Sequence, residues 1–377
     1  MKPITMIIGG DLAPTKSNIS YFNEGNLSGI LDENLLSLLN SVNYRIFNLE
    51  APLTDIETPI NKTGPNLIAP TSTIKGIKFL NPSILSLANN HILDQGGQGL
   101  INTMELLTSH DIKYVGAGKD ISTASKPVFI EMEGIKTGFY TCAENEFSIA
   151  SENKPGANPF DPLYSLDHIA AAKSKCDFLI VLHHGGKEHY RFPSPNLQKI
   201  CRRMVDKGAD LVICQHSHCI GAYELYSDRT IVYGQGNFLF DRSNNKFWLT
   251  SLLIKATIKD KISIEYIPVC KKGNGVELPT TEIKEVILKD FFTRSASISM
   301  PGFIESEYAK FCSTNGPYYL RNIAGFGNII QKIDTVLKNK ISKTLYSQTK
   351  LTRLQNFIEC EAHRELLLKY LEVLKKS

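Results

Sequence analysis

Short apolar runs recur along the chain, and each ends in polar residues capable of chemistry. ITMIIGGD runs into Asp11, YRIFNLE into Glu50, and SILSLANNH into Asn90 and His91. DFLIVLHHGG runs into His183 and His184, ADLVICQHSH into His216 and His218, and TIVYGQGNF into Asn237. Each run is about four to six residues of β-branched or leucine-rich sequence, the mark of a strand buried on both faces.

Between these runs lie helical patterns. Residues 29–41, 97–109 and 195–207 space their apolar positions three or four apart. The last opens with Ser194-Pro195 and stops at Gly208, a cap and stop in the expected order. Two further stretches read as antiparallel hairpins, one turning at Glu133-Gly134 and one at Lys259-Asp260-Lys261. The pattern predicts an α/β fold: two packed, mixed β-sheets flanked by helices, with the polar residues gathered along one sheet edge.

After about residue 275 the character changes. Residues 276–325 read as irregular, punctuated by Pro and Gly, while 326–347 and 350–375 read as two helices. The expected organisation is a domain over 1–275 and a C-terminal, mostly helical extension over 276–377. From 331 onward there are ten Lys and Arg against five Asp and Glu. This C-terminal stretch is thus basic, and its last helix carries an apolar stripe of Leu354, Phe357, Ile358, Leu367, Leu371 and Leu374. The pattern fits a packing helix with a solvated basic face, or one that meets a membrane surface or a partner.

Composition adds limits. A net charge of +4 spread over 377 residues is too weak and diffuse for nucleic-acid binding, and fits at most an anionic substrate. The eight cysteines form no CxxC pair and read as reduced, mostly buried thiols. Cys214 and Cys219, which bracket His216 and His218, are read as small apolar fillers. The N-terminal MKPITMIIGGDLAP has no export-length apolar region, and no run approaches the ~18 apolar residues of a membrane span. The expectation is a cytoplasmic protein, associated with a membrane only through a partner or the basic C-terminal helix.

Six of the nine histidines, His91, His183, His184, His189, His216 and His218, fall in the strand-end segments. Imidazole nitrogens and carboxylate oxygens are the donors that divalent metals of intermediate hardness prefer. Glu50 is a natural bridge between two cations, and Asn90 has a neutral carbonyl oxygen to offer. His91 then lies beside the substrate as a general acid or an oxyanion stabiliser, with Asp94 three residues on to orient it. A metal pair of this kind suits phosphoester hydrolysis.

The order Asp, Glu, Asn-His, His, His-x-His resembles the calcineurin-like metallophosphoesterase superfamily, and more closely the CapA family of capsule and poly-γ-glutamate biosynthesis proteins. The stretches that carry it are GGDLAP (9–14), FNLEAPLTD (47–55), LANNHILDQG (87–96), HGGKEHYRFPSP (184–195), GADLVICQHSHCIGAYELY (208–226) and IVYGQGNFLFD (231–241). Together they cover about residues 1–270.

The resemblance implies a four-layer αββα sandwich and one or two divalent ions, Mn, Zn or Fe. It makes Asp11 and Glu50 carboxylate ligands, Asn90 and His216 ligands of a second metal, and His218 a ligand of the first. Its His-x-Gly-x-Glu pattern fits His184, Gly186 and Glu188, choosing His184 over His183 as ligand and making Glu188 a base or substrate contact. Asn89, His183, His189 and Asn237 are candidate substrate contacts. Two departures stand out: Ala13 occupies the position of a His ligand in the Asp-x-His pattern, and Glu50 replaces a bridging Asp.

The implied function is metal-dependent hydrolysis in capsule or surface-polymer synthesis. A metal-activated water would cleave a phosphoester, or an amide or ester bond, in an anionic small molecule or polymer, alongside the capsule-synthesis machinery. Ala13 favours a second reading, a non-catalytic accessory subunit of a polymer synthase or export complex. A superfamily nuclease is disfavoured by the lack of a basic groove.

Overall fold

The computed structural model describes residues 2–240 and 245–374. Asp241, the last residue of the final family motif, and Lys375, the expected end of the last helix, lie outside the described residues. The chain divides into two compact units, Met1–Glu305 and Ser306–Ser377.

Among the described residues the strands are β1 (Ile4–Leu12), β2 (Tyr44–Leu49), β3 (Ile84–Ser86), β4 (Lys113–Val115), β5 (Ala117–Gly118), β6 (Val128–Met132), β7 (Ile135–Ala143) and β8 (Gly156–Ala157). They continue as β9 (Phe178–His184), β10 (Leu211–Gln215), β11 (Tyr223–Tyr226), β12 (Arg229–Val232), β13 (Asn237–Leu239), β14 (Thr250–Ile258), β15 (Ile262–Lys272) and β16 (Gly275–Glu277). The first unit's helices are α1 (Ile19–Glu24), α2 (Glu33–Asn40), α3 (Ile74–Leu80), α4 (Gly96–Ser109), α5 (Ile121–Ala124), α6 (Ser165–Lys173), α7 (Pro195–Asp206) and α8 (Thr281–Ser297).

One mixed sheet runs β16-β15-β14-β1-β2-β3-β4, with β13 also paired to β1; a second runs β11-β12-β10-β9-β7-β6. Side chains alternate across a strand, and here the alternation sorts them into three cores. Met6, Ile8, Ile46 and Ile84 of the first sheet meet Phe139, Ile180, Leu182, Leu211 and Ile213 of the second. Their neighbours Ile7, Phe47 and Leu85 turn the other way, onto Leu35 and Leu39 of α2, Ile77 of α3 and Leu100 and Met104 of α4. On the far side Leu179, Val181 and Val212 pack on Ile169 of α6 and Cys201 and Met204 of α7. The layers are therefore helix, sheet, sheet, helix, the expected four-layer sandwich.

Both predicted hairpins are present, β6–β7 and β14–β15. Glu133 and Gly134, at φ of 52° and 76°, make the left-handed two-residue turn that suits such a hairpin. α7 starts at Pro195, with the Ser194 hydroxyl accepting from the Leu197 amide at 3.1 Å.

Three expectations needed correction. The helix expected from Gly29 begins only at Glu33, because the Ile30 carbonyl accepts from the Val276 amide at 2.8 Å and 30–31 run beside β16. The stretch 276–325 is mostly helical: Thr280 caps α8, and α9 (Phe303–Ile323) runs through Pro317. Gly316-Pro317 reads as a breaker, yet the helix continues past it without that one amide. The first unit also extends past residue 275, to Glu305. α8 lays Phe291 into the inter-sheet core, with ring centroids 4.7 Å from Tyr266 and 5.4 Å from Tyr223.

The second unit holds the rest of α9 and then α10 (Asn328–Val336), α11 (Lys340–Leu345), α12 (Gln348–Glu359) and α13 (Glu361–Leu374). The buried Asp334 ties the α10–α11 turn, accepting from the Ile341 amide at 2.8 Å and the Ser342 hydroxyl at 2.7 Å. No helix of the described residues is long and apolar enough to cross a membrane.

Candidate metal centre

The carboxyl ends of β1, β2, β9 and β10 and the loop after β3 meet at one edge of the sandwich. Strand parity decides which side chains face inward there. On β2, Ile46 faces the inter-sheet core, so Asn48 and the following Glu50 face the same way. On β9, Ile180 and Leu182 face inward, and His184 with them. His183 therefore faces α6 and α7, where Cys142 Sγ is 3.5 Å from its Nδ1 and Phe160 is edge-on at 5.6 Å.

β1 reaches the same face by breaking parity. Ile7 and Leu12, five apart, both join the outer core, which simple alternation forbids. The pairing of β1 with β2 shifts between Ile8 and Asp11. That irregularity turns Asp11 inward, and Gly10 permits it: a Cβ there would lie 1.9 Å from the Gly236 carbonyl oxygen.

Two sets of donors result. Glu50, His184 and His216 form one, and Asp11, Glu50 and His218 the other; within each set the ligand atoms lie within 4.8 Å of one another. Glu50 belongs to both. It is fully buried, and neither of its oxygens has a hydrogen bond; its nearest ring nitrogen, His184 Nε2, is 3.4 Å away. Asn90 Oδ1 joins the Glu50–His184–His216 set, the second site, 3.0 Å from that same Nε2. His218 Nδ1 lies 3.3 Å from Asp11 Oδ2. His216 and His218 both adopt left-handed backbone, at φ of 80° and 51°, and the loop delivers one imidazole to each set.

The electrostatics fit cations. Burial alone would push the histidines down. For His184 the Glu50 and Asp11 carboxylates outweigh it and raise the ring above its ordinary value. For His218 the Asp11 hydrogen bond and the Glu50 charge outweigh it and raise the ring to about 10. His216 is driven well down by burial and its neighbouring histidines, and its Nδ1 has no partner. A buried carboxylate with no hydrogen bond is costly without positive charge beside it. The donor set, two carboxylates, three imidazoles and an amide oxygen, is one that suits Mn, Zn or Fe.

Beside this cluster His91 Nδ1 lies 2.6 Å from Asp94 Oδ2. His91 directly follows Asn90, whose Oδ1 lies among the donors of the Glu50–His184–His216 set. Lys62, from the loop before α3, forms an ion pair with Asp94 Oδ1 and sits 3.2 Å from His91 Nδ1, its side chain only 3% exposed. Asp94 Oδ2 also accepts from the Leu67 amide at 2.6 Å.

The remaining candidates divide. Asn89, a candidate substrate contact, is fully buried: it donates to the Leu49 carbonyl at 2.8 Å and accepts from the His91 amide at 3.1 Å, bracing the Asn90–His91 loop. His183, another such candidate, is placed by parity on the far face of β9, away from the donor sets, where burial holds it down to about 4. Glu188 is exposed on the turn after Gly186 and does not join the ligand cluster; its charge acts on His189. His189 borders the site, 6.4 Å from the His218 ring, and accepts from Trp248 Nε1 at 2.9 Å. Asn237 is buried, its Oδ1 2.8 Å from His218 Nδ1. All eight cysteines are free and none joins a donor set; Cys214 faces Cys201 at 3.5 Å on the α7 side.

Sequence reasoning passed over three residues. Asn48 donates to Asp11 Oδ1 at 2.8 Å and lies 3.3 Å from His184 Nδ1; an Asn inside a buried strand is a usable signal, since strands disfavour it. Trp248, the single tryptophan, lies 4.8 Å from the His218 ring. Lys62 sits in a polar loop with nothing nearby in sequence to mark it.

The sequence profile of the bacterial capsule synthesis protein PGA_cap matches residues 5–242, well over half of the 377. The capsule biosynthesis protein CapA of Bacillus anthracis is 31% identical over 213 residues, 54% of this chain and 52% of that one. The PGA biosynthesis protein CapA of Bacillus subtilis (strain 168) is 33% identical over 173 residues, 45% and 46% of the two chains. This chain spans about half the length of the curated relatives it matches. A crystal structure of a phosphatase of Mycoplasma pneumoniae superposes with a TM-score of 0.46 and 14% identity, over 72% of this chain and 95% of that one. The profile match over most of the first unit, including every donor placed above, shows that the chain belongs to the bacterial capsule synthesis protein PGA_cap family.

Proposed function

We propose that this protein is a metal-dependent hydrolase of capsule or surface-polymer synthesis, cleaving a phosphoester, or an amide or ester bond, in an anionic polymer or its precursor. The observation that carries the reading is Glu50, buried without a hydrogen bond and shared by two donor sets. Asp11, Glu50 and His218 would hold one divalent ion, and Glu50, His184, His216 and Asn90 the other. When bound, the ions supply the positive charge that activates a water for attack and offsets the negative charge that develops on the substrate.

The chain's own residues account for the proton and the geometry. Asp94 accepts the His91 Nδ1 proton, which leaves Nε2 as the ring position that gives a proton to the departing group. Lys62 balances the Asp94 charge and holds the pair in place. Asn89 fixes the His91 backbone. His189, held by Trp248, is the side chain that meets substrate beside the first donor set. A purely structural metal would need none of this apparatus.

The accessory-subunit reading rests on Ala13, whose surroundings of Ala51 and Phe240 are apolar. Two relatives carry capsule or PGA biosynthesis names, which suits either reading. In both, the basic helices after 305 are the surface offered to the synthesis machinery or an anionic membrane. The two part on catalysis. Mn²⁺-loaded protein is assayed on aryl phosphodiesters, aryl phosphomonoesters and γ-glutamyl anilides. The hydrolase reading expects turnover that falls about 10²-fold or more in His91→Ala with unchanged metal content. Turnover equal in wild type and variant, or none on any substrate, would favour the accessory role.

A further inference from the structure

The donor set around His218 is one ligand short. It offers Asp11, Glu50 and His218, and the residue two beyond Asp11 is Ala13, which has nothing to give. We infer that Asn237 supplies the fourth protein ligand to this first metal, through its side-chain oxygen. The inference rests on the metal-site reading above.

Three observations carry it. First, β13 pairs in parallel with β1, with Asn237 directly opposite Asp11, so the two side chains leave adjacent strands at the same level. Second, His218 Nδ1 faces Asn237 Oδ1 at 2.8 Å and Asp11 Oδ2 at 3.3 Å. One ring N–H cannot serve two acceptors well, whereas a cation among the three atoms satisfies them all. Donors about 2.1 Å from an ion lie about 3.0 Å apart when octahedral neighbours and about 3.4 Å apart when tetrahedral, and each observed spacing lies within about 0.2 Å of one of those values. Third, Asn237 is only 8% exposed and its Nδ2 has no partner, so the amide is not held by other hydrogen bonds through its nitrogen.

The neighbourhood explains why the ligand comes from β13. Ala13 packs with Ala51 and Phe240 beside Trp248, and a polar side chain there would displace that aromatic wall. An amide oxygen from the adjacent strand reaches the first ion without disturbing it. An amide oxygen, a weaker donor than the neutral imidazole it stands in for, also leaves that ion a stronger Lewis acid site for an anionic substrate.

Trp248 makes the first site readable apart from activity, because its ring lies 4.8 Å from His218. Chelator-stripped protein is titrated with Mn²⁺ or Co²⁺, following tryptophan fluorescence and, after gel filtration, bound metal. Wild type is expected to hold two ions, with a fluorescence change on filling the first site. Asn237→Ala should keep the other ion and weaken this one by more than about tenfold, the loss that even an outer partner of a metal ligand can cause; Asn237→Asp should retain both. Asn237→Cys loaded with Co²⁺ separates ligation from mere positioning of His218, and holds even where the alanine variant does not fold. A new thiolate-to-cobalt charge-transfer band in the near ultraviolet supports ligation, and a spectrum identical to wild type overturns it. Two ions bound by Asn237→Ala with wild-type affinity also overturn it. A wild-type protein that binds no ion would instead remove the metal-site reading beneath it.

Discussion

Lys62→Met tests whether the His91 apparatus is built as described. Methionine keeps most of the aliphatic volume and removes the ammonium. Lys62 is 3% exposed and Asp94 fully buried, so the substitution strands a buried carboxylate. Breaking a buried pair on one side costs about 3–5 kcal/mol. Here Asp94 keeps two partners, the Leu67 amide and His91 Nδ1, each at 2.6 Å, so the expected loss lies at the lower end, about 3 kcal/mol. Urea unfolding of metal-free protein at pH 7 measures it. The double variant Lys62→Met/Asp94→Asn removes both charges and should recover at least half of the loss, a coupling that additivity does not produce. In turnover on an aryl phosphoester, Lys62→Met should lower kcat about tenfold, less than His91→Ala, with metal content unchanged. A stability change under about 1 kcal/mol would mean that the pair is not a buried one, and an unchanged kcat would mean that Lys62 does not support His91.

Metal affinity should rise with pH. His218, ordinarily near 6.5, is held up to about 10 without an ion, so near neutral pH the ring carries a proton that the metal must expel. Apparent affinity should climb about tenfold per pH unit for each proton displaced, flattening as pH approaches that value. Calorimetry in buffers of different ionisation heat counts the protons, and a count of zero would refute this picture. The adjacent histidines should separate cleanly: His184→Leu abolishes binding of the Glu50–His184–His216 ion, while His183→Leu leaves both ions in place. Metal analysis of the two variants decides, and loss of metal in His183→Leu would contradict the parity of β9.

Much of this site was legible in the chain because its signals are local. A buried strand is a short apolar run, and a run that stops at Asp, Glu or His announces where the strand ends. Six histidines at such ends already indicated one edge of a layered sheet. Three features were not legible, each for a physical reason. The shift between Ile8 and Asp11 depends on how β1 pairs with β2 and β13, and no run of residues records a pairing. Lys62 acquires its role only when the loop after β2 folds over Asp94. The region after 275 misled because Gly316-Pro317 looks like a break, and because Phe291 shows its purpose only once Tyr223 and Tyr266 stand around it. Asn89 and Asn90 show the limit of motif reading: adjacent amides in one motif, one braces the loop and the other faces the metal donors.

The central claim is a two-ion centre that shares Glu50. Its most direct test is to strip the protein with chelator, reload it with Mn²⁺ or Zn²⁺, remove free metal and count bound ions in wild type and Glu50→Gln. The glutamine keeps the shape and removes the shared charge. Two ions per chain in wild type and none retained by Glu50→Gln is the predicted result. A wild type that binds no metal, or a Glu50→Gln variant that retains both ions, would contradict it.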